Sequence, residues 1–115
     1  MTGLKRPEIS RKERLALQEF KKRLIESLGD NFLFIKLYGS RARGDSHKES
    51  DIDIIVVLKK LDNEIDNIVI DTIIEIEHEY DVYFEFLTFS EERYERCKRE
   101  QWPFLINVEQ EGILI

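Results

Sequence analysis

Residues 39–57 read GSRARGDSHKESDIDIIVV. Two glycines, two arginines and Ser40 stand ahead of Asp51 and Asp53, and an unbroken apolar run follows. Residues i and i+2 of a strand point to the same face, so the two carboxylates are expected side by side, with Cα atoms about 6–7 Å apart. Leaving both ionised at the mouth of a buried strand is costly. Either a cation neutralises them or at least one carboxyl titrates above its ordinary range. Hard oxygen ligands so spaced suit Mg²⁺ or Mn²⁺, which take one or two carboxylates from protein and the remainder from phosphate and water. Taken alone, the pair also fits a solvated strand start in which Asp51 caps a turn.

The residues upstream shift that balance. A strand closing at Gly39-Ser40 and entering RARG describes a tight turn into a short helix, whose free N–H groups and positive dipole end suit phosphate. Gly39 permits close backbone approach, and the Ser40 hydroxyl adds a donor. Arg41 and Arg43 lie two apart and face different directions on a helical turn, so at most one is expected at the same phosphate. No Gly-Lys-Ser/Thr of a Walker A loop and no Gly-x-Gly-x-x-Gly fingerprint is present. Ile54 to Val57 occupy positions where a calcium-binding EF loop needs oxygen ligands and a glycine. A third carboxylate would complete a two-metal centre. Glu85 is the candidate, because it stands mid-strand between Phe84 and Phe86; Asp81 ranks second, and an exposed glutamate on an edge strand is the plainer alternative.

Around this stretch the chain reads as one domain over residues 1–115, long enough for a single core and too short for two. Its 42% hydrophobic and 37% charged residues describe a globular protein rather than a disordered one. Ser10 and Glu13 have capping-box spacing ahead of Leu17, Phe20, Leu24 and Leu28, predicting a helix over about 11–28 that stops at Gly29. FLFIKLYG follows as a first strand, and DIDIIVVLKK as a second that is apolar on both faces and therefore central. Ile65, Ile68, Val69, Thr72, Ile73 and Ile76 mark a helix behind Asp62, where the 3.6-residue period outweighs β propensity. DVYFEFLTF is a third strand, Ser90 starts another helix, and a last helix begins at Trp102-Pro103 and ends at Gly112. ILI is left as an apolar tail that a lone monomer has little reason to expose. The order α-β-β-α-β-α-α predicts an α+β fold, a small sheet flanked by helices, without settling its strand order.

GSRARGDSHKESDIDIIVV resembles the signature of the minimal nucleotidyltransferases in the DNA polymerase beta superfamily, through Gly39, Ser40, Ala42, Arg43, Gly44, Ser50, Asp51 and Asp53. VYFEFLTFSEE is similar to that family's third acidic strand, with Glu85 where aspartate is more usual, and PFLINVEQEGILI resembles its closing helix. The resemblance implies the polymerase beta-like nucleotidyltransferase fold with a mixed sheet, and transfer of NMP from an NTP, most often AMP from ATP. It implies two Mg²⁺ ions held by Asp51 and Asp53, with Glu85 as third ligand or base, and a triphosphate held by Gly39 and Ser40. Arg43 would assist the phosphates or brace the loop. Proteins resembling this one pair with a small helical HEPN-domain toxin encoded nearby and adenylylate a tyrosine on it, acting as antitoxin.

A rival reading is a non-catalytic module that neutralises its partner by binding, with the acidic site vestigial. A third is transfer to a small molecule, which would need a second copy of the chain to close the pocket. The net charge of −6 argues against nucleic acid as partner. No apolar run is long enough to cross a bilayer, the N-terminus lacks a secretory apolar stretch, and the single Cys97 suits a reducing compartment, so the cytoplasm is expected. Trp102 and Phe104 read first as core and second, with the tail, as partner contacts. His47 and His78 read as surface residues.

Overall fold

The computed structural model describes residues 7–44 and 51–115. The first helix, α1 (Arg11–Leu28), opens with the expected capping box: the Ser10 N–H donates to Glu13 Oε1 at 2.8 Å and the Glu13 N–H donates to Ser10 Oγ at 3.1 Å. Ala16, Leu17, Phe20 and Leu24 form its buried stripe. A 3₁₀ turn at Gly29–Asn31 then leads into β1 (Phe32–Tyr38), which runs directly into the five-residue helix α2 (Gly39–Arg43).

Strand β2 (Ile52–Leu58) is central, as its apolar run on both faces requires: Ile54, Ile55, Val56, Val57 and Leu58 are all fully buried. It pairs antiparallel with β1 and parallel with β3 (Phe84–Ser90). The parallel pairing needs a crossover, supplied by α3 (Asn63–Tyr80). That segment is helical despite its β-branched residues because one face, Val69, Thr72, Ile73 and Ile76, can be buried whole, and Asp62 caps it by accepting from the Ile65 N–H at 2.8 Å. Helices α1 and α3 cover one face of the sheet. The other face holds Ile55, Val57 and Phe89 under Tyr94 and Cys97 of α4 (Glu91–Arg99) and Leu105 and Val108 of α5 (Pro103–Glu111).

Three local readings are corrected. The segment after Gly112 is a fourth strand, β4 (Ile113–Leu114), which gives the sheet the order β3-β2-β1-β4. Ile113 and Ile115 pack against the core, and the Ile115 N–H donates to Ile35 O at 3.0 Å, so of the apolar tail only Leu114, at 66% exposure, faces outward. The open edge of β1 offers this segment backbone partners, and pairing there also packs Ile113 and Ile115 against the core. The third strand begins at Phe84 rather than Asp81. Asp81 closes α3 in the left-handed conformation, φ 53°, and the Glu77 carboxylate accepts from the Phe84 N–H at 2.9 Å. Trp102 is not core: it precedes α5 at 43% exposure, while Phe104 packs edge-on against Tyr38 with ring centroids 5.2 Å apart.

Arg41 ties these layers together. It is buried to 7% exposure, forks onto both Glu13 carboxylate oxygens at 2.7 and 3.0 Å, and donates to Glu8 O at 2.9 Å. Glu13 is thus both the capping residue of α1 and the anchor of α2. Arg41→Ala would strand a largely desolvated carboxylate, at a cost of about 3 kcal/mol. Thermal unfolding followed by circular dichroism should show a loss on the order of 10 °C; a change under 2 °C would mean the fork contributes little.

Candidate active site

The end of β1 meets the beginning of β2 at the register pair Tyr38↔Asp53. Gly39, the next residue, has φ +75°, a conformation that side-chain-bearing residues rarely adopt. A Cβ there would lie 2.5 Å from Asp53 Oδ2. Gly39 is therefore required twice, to turn the chain and to let the Asp53 carboxylate press against the backbone corner. Ser40 follows, half-buried, at the start of α2, and Gly44 ends that helix at φ 78°.

Asp53 is also the register partner of Glu85 across the parallel β2–β3 pair, so both side chains rise from the same face. The carboxyls are close enough to share a hydrogen bond. Burial first, then the Glu85 charge and that hydrogen bond, then the charge of Asp51, push Asp53 up to about 6, while Arg41 pulls the other way. The neighbouring Tyr38 phenol is pushed up to about 12 by burial and by the charges of Asp53 and Glu85. Asp51 stands exposed just before β2 and acts on Asp53 through space. The three acids singled out in the sequence are thus brought into one electrostatic cluster.

The other candidates separate. Asp81 is exposed at the end of α3, 3.9 Å from Lys12 Nζ, and is not a strand residue facing Asp53. Arg41 is committed to Glu13 and Glu8. Arg43 reaches back to α5, where its guanidinium donates to Glu111 Oε2 at 3.1 Å. His78 lies exposed in the last turn of α3, and Ser50 and His47 lie outside the described residues. Tyr38 was not singled out in the sequence. Its signal is its place as the last residue of a strand that pairs antiparallel with the one bearing Asp53, which puts it across from that acid.

The donor set is all carboxylate oxygen, the chemistry that suits a hard divalent cation. Among the described residues no group of three or more His, Cys, Asp or Glu side chains is placed to hold a metal ion. Mg²⁺ commonly takes only one or two carboxylates from protein and its other ligands from water and substrate phosphates, so Asp53 and Glu85 are the protein ligands the geometry offers. Crowded carboxylate oxygens of this kind are donors that a divalent cation would neutralise, so the chemistry of Asp53 and Glu85 fits such an ion.

An electrostatic cost follows for the chain without cations. Because the Asp53 carboxyl titrates at about 6 in the folded chain, above the ordinary 3.8, its contribution to stability is present at low pH and lost as pH rises through 6. In chelator at pH 8, Asp53→Asn should therefore raise Tm by about 4 °C, reflecting about 1 kcal/mol once solvent screening is allowed for. At pH 4 the gain should vanish. Equal Tm differences at both pH values would refute an origin in the ionised Asp53 carboxylate.

Residues 20–115 match the polymerase beta nucleotidyltransferase family. A candidate protein adenylyltransferase of Methanocaldococcus jannaschii, MJ0604, is 36% identical over 101 residues, covering 87% of this chain and 94% of that protein. Among solved structures, a toxin-antitoxin with AMP-PNP is similar with TM-score 0.54 at 21% identity, over 84% of this chain and 70% of the other. A tri-AMPylated Shewanella oneidensis HEPN toxin in complex with MNT antitoxin gives TM-score 0.51 at 19% identity, over 88% of this chain and 69% of the other. At those identities the likeness is one of fold. The match over most of the chain, together with MJ0604, places the protein plainly: it belongs to the polymerase beta nucleotidyltransferase family.

Proposed function

We propose that the chain transfers AMP from ATP to a hydroxyl of a partner protein, a tyrosine of a HEPN-type toxin encoded nearby, and so acts as its antitoxin. The observation that carries this reading is the Asp53–Glu85 carboxyl pair set directly against the Gly39 corner. The name of MJ0604 and the AMPylated HEPN complex among the fold neighbours support the choice of adenylyl group and protein acceptor.

In this reading Gly39 and Ser40 receive the β and γ phosphates. Asp51, Asp53 and Glu85 would hold two Mg²⁺ ions, which when bound neutralise developing phosphate charge and align the reactants. The acceptor oxygen attacks the α-phosphorus, its proton passes to the carboxylate cluster, with Glu85 best placed at the open side, and pyrophosphate leaves. Arg43, already engaged by Glu111, suits bracing of α2 better than direct phosphate contact. The longer Glu85 side chain remains within hydrogen-bond reach of Asp53, which favours an intact site over a vestigial one.

Incubation with ATP labelled at the α-phosphate, Mg²⁺ and the neighbouring HEPN-type protein should label that protein. Asp53→Asn should lower the rate by at least about 10³-fold, roughly 4 kcal/mol of transition-state stabilisation. Silencing of the toxin without label, unaffected by Asp53→Asn, would replace this proposal with the binding-module reading. The metal is testable without turnover: millimolar Mg²⁺ at pH 8 should raise the Tm of the wild-type chain and leave that of Asp53→Asn nearly unchanged.

A further inference from the structure

Transfer to the α-phosphorus is in line, so the attacking oxygen and the departing pyrophosphate lie on opposite sides of the reacting centre. The sheet order β3-β2-β1-β4 gives those sides a direction. The glycine-serine corner sits at the end of β1, on one flank of Asp53; Glu85 of β3 sits on the other. If the corner holds the leaving phosphates, the acceptor enters across β3. Among the described residues β3 pairs only with β2, so that flank has no further strand.

What stands there is not what an acidic site alone would call for. Along β3 and the two residues before it, Val82, Phe84 and Phe86 turn toward the α1–α3 core, and Tyr83, Glu85 and Leu87 turn to the opposite face. The Ile52 N–H donates to Tyr83 O at 3.1 Å, so the alternation already holds at position 83. Phe89, next on that face, is buried beneath α4, with its ring 6.1 Å from that of Tyr94. Tyr83 and Leu87 are left uncovered at 66% and 45% exposure, one on each side of Glu85. An aromatic and an aliphatic side chain therefore bracket the acid nearest the acceptor's path.

We propose that Tyr83 and Leu87 select the acceptor by packing against apolar side chains that flank its hydroxyl-bearing residue on a partner protein. The inference rests on the transfer reading above and deepens it. A sugar hydroxyl brings no aliphatic group to cover Leu87, and a nucleic-acid acceptor would extend a phosphodiester backbone beyond the metal-held triphosphate, over apolar side chains and in a chain of net charge −6. A protein segment with apolar neighbours covers the bracket and brings no added negative charge. Exposed apolar side chains contiguous with a reactive centre act as recognition surface in this way.

The test is the double variant Tyr83→Ser/Leu87→Ser, assayed with labelled ATP, Mg²⁺ and the HEPN-type protein. KM for that protein should rise at least 10-fold, about 1.4 kcal/mol of lost contact. The Kd for ATP should stay within two-fold and Tm should stay unchanged, because both side chains are already exposed. An unchanged acceptor KM overturns the inference while leaving the transfer reading standing. If the wild-type chain itself transfers no label, the transfer reading falls, and a photo-cross-linking phenylalanine analogue at position 83 decides the surface separately. With a non-hydrolysable ATP analogue present, cross-linking to a Ser-, Thr- or Tyr-bearing segment of the HEPN-type protein supports the docking assignment. Cross-linking to a second copy of this chain, or to nothing, overturns it.

Discussion

The contact on which the site depends is between the Asp53 carboxylate and its two neighbours, the bare Cα of Gly39 and the carboxyl of Glu85. Each lies on a different strand or strand end, and each meets Asp53 only because β2 is central. The antiparallel register with β1 delivers Tyr38 and the Gly39 corner; the parallel register with β3 delivers Glu85. A shift of one residue in either ladder would turn a required side chain to the opposite face. The register is in turn held by burial, since Ile54 to Leu58 are apolar on both sides and fully covered.

The corner itself needs support from behind. Helix α2 has only five residues and few hydrogen bonds of its own, so its position is set by what its side chains grip. Arg41 reaches back to the Glu13 carboxylate at the head of α1, and Arg43 reaches to Glu111 near the end of α5. Helix α5 is pinned to the sheet through Glu109, which accepts from Lys36 Nζ at 2.6 Å and from the Tyr94 hydroxyl at 2.5 Å. The two arginines of one short motif thus link elements near the two ends of the chain. The charge of Arg41 also favours ionised Asp53, so the same group that anchors the helix tempers the acid cluster.

That cluster is kept at a cost in stability. Two crowded carboxyls with a third charge nearby are a poor arrangement for an isolated domain, and one that a bound cation would relieve. The bare stretch of β3 beside them has the same character, since α4 covers Phe89 and leaves Leu87 and Tyr83 in solvent.

Much of this was legible in the residues. The capping box at Ser10 and Glu13, the Asp62 cap, the central position of β2 and the helix over 63–80 follow from spacing and periodicity, because each depends on neighbours within a turn or two. The family motif likewise identified Gly39, Ser40, Asp51 and Asp53 as a group, since they lie on one continuous stretch. Other features depend on segments distant in sequence. The pairing of the tail with β1, the commitment of Arg41 to Glu13, the exposure of Trp102 and the approach of Tyr38 to the acids have no local signal. For Glu85 the residues left two readings open, a member of the site or a solvated edge acid; it is exposed on an edge strand and within hydrogen-bond reach of Asp53, a placement that only the parallel register could supply. The sequence determined the main helices and strands and which residues are candidates for the chemistry, because short-range periodicity and local turns govern those. Only the tertiary structure decided which of them meet, because strand order and register are set by the joint burial of faces that no single segment contains.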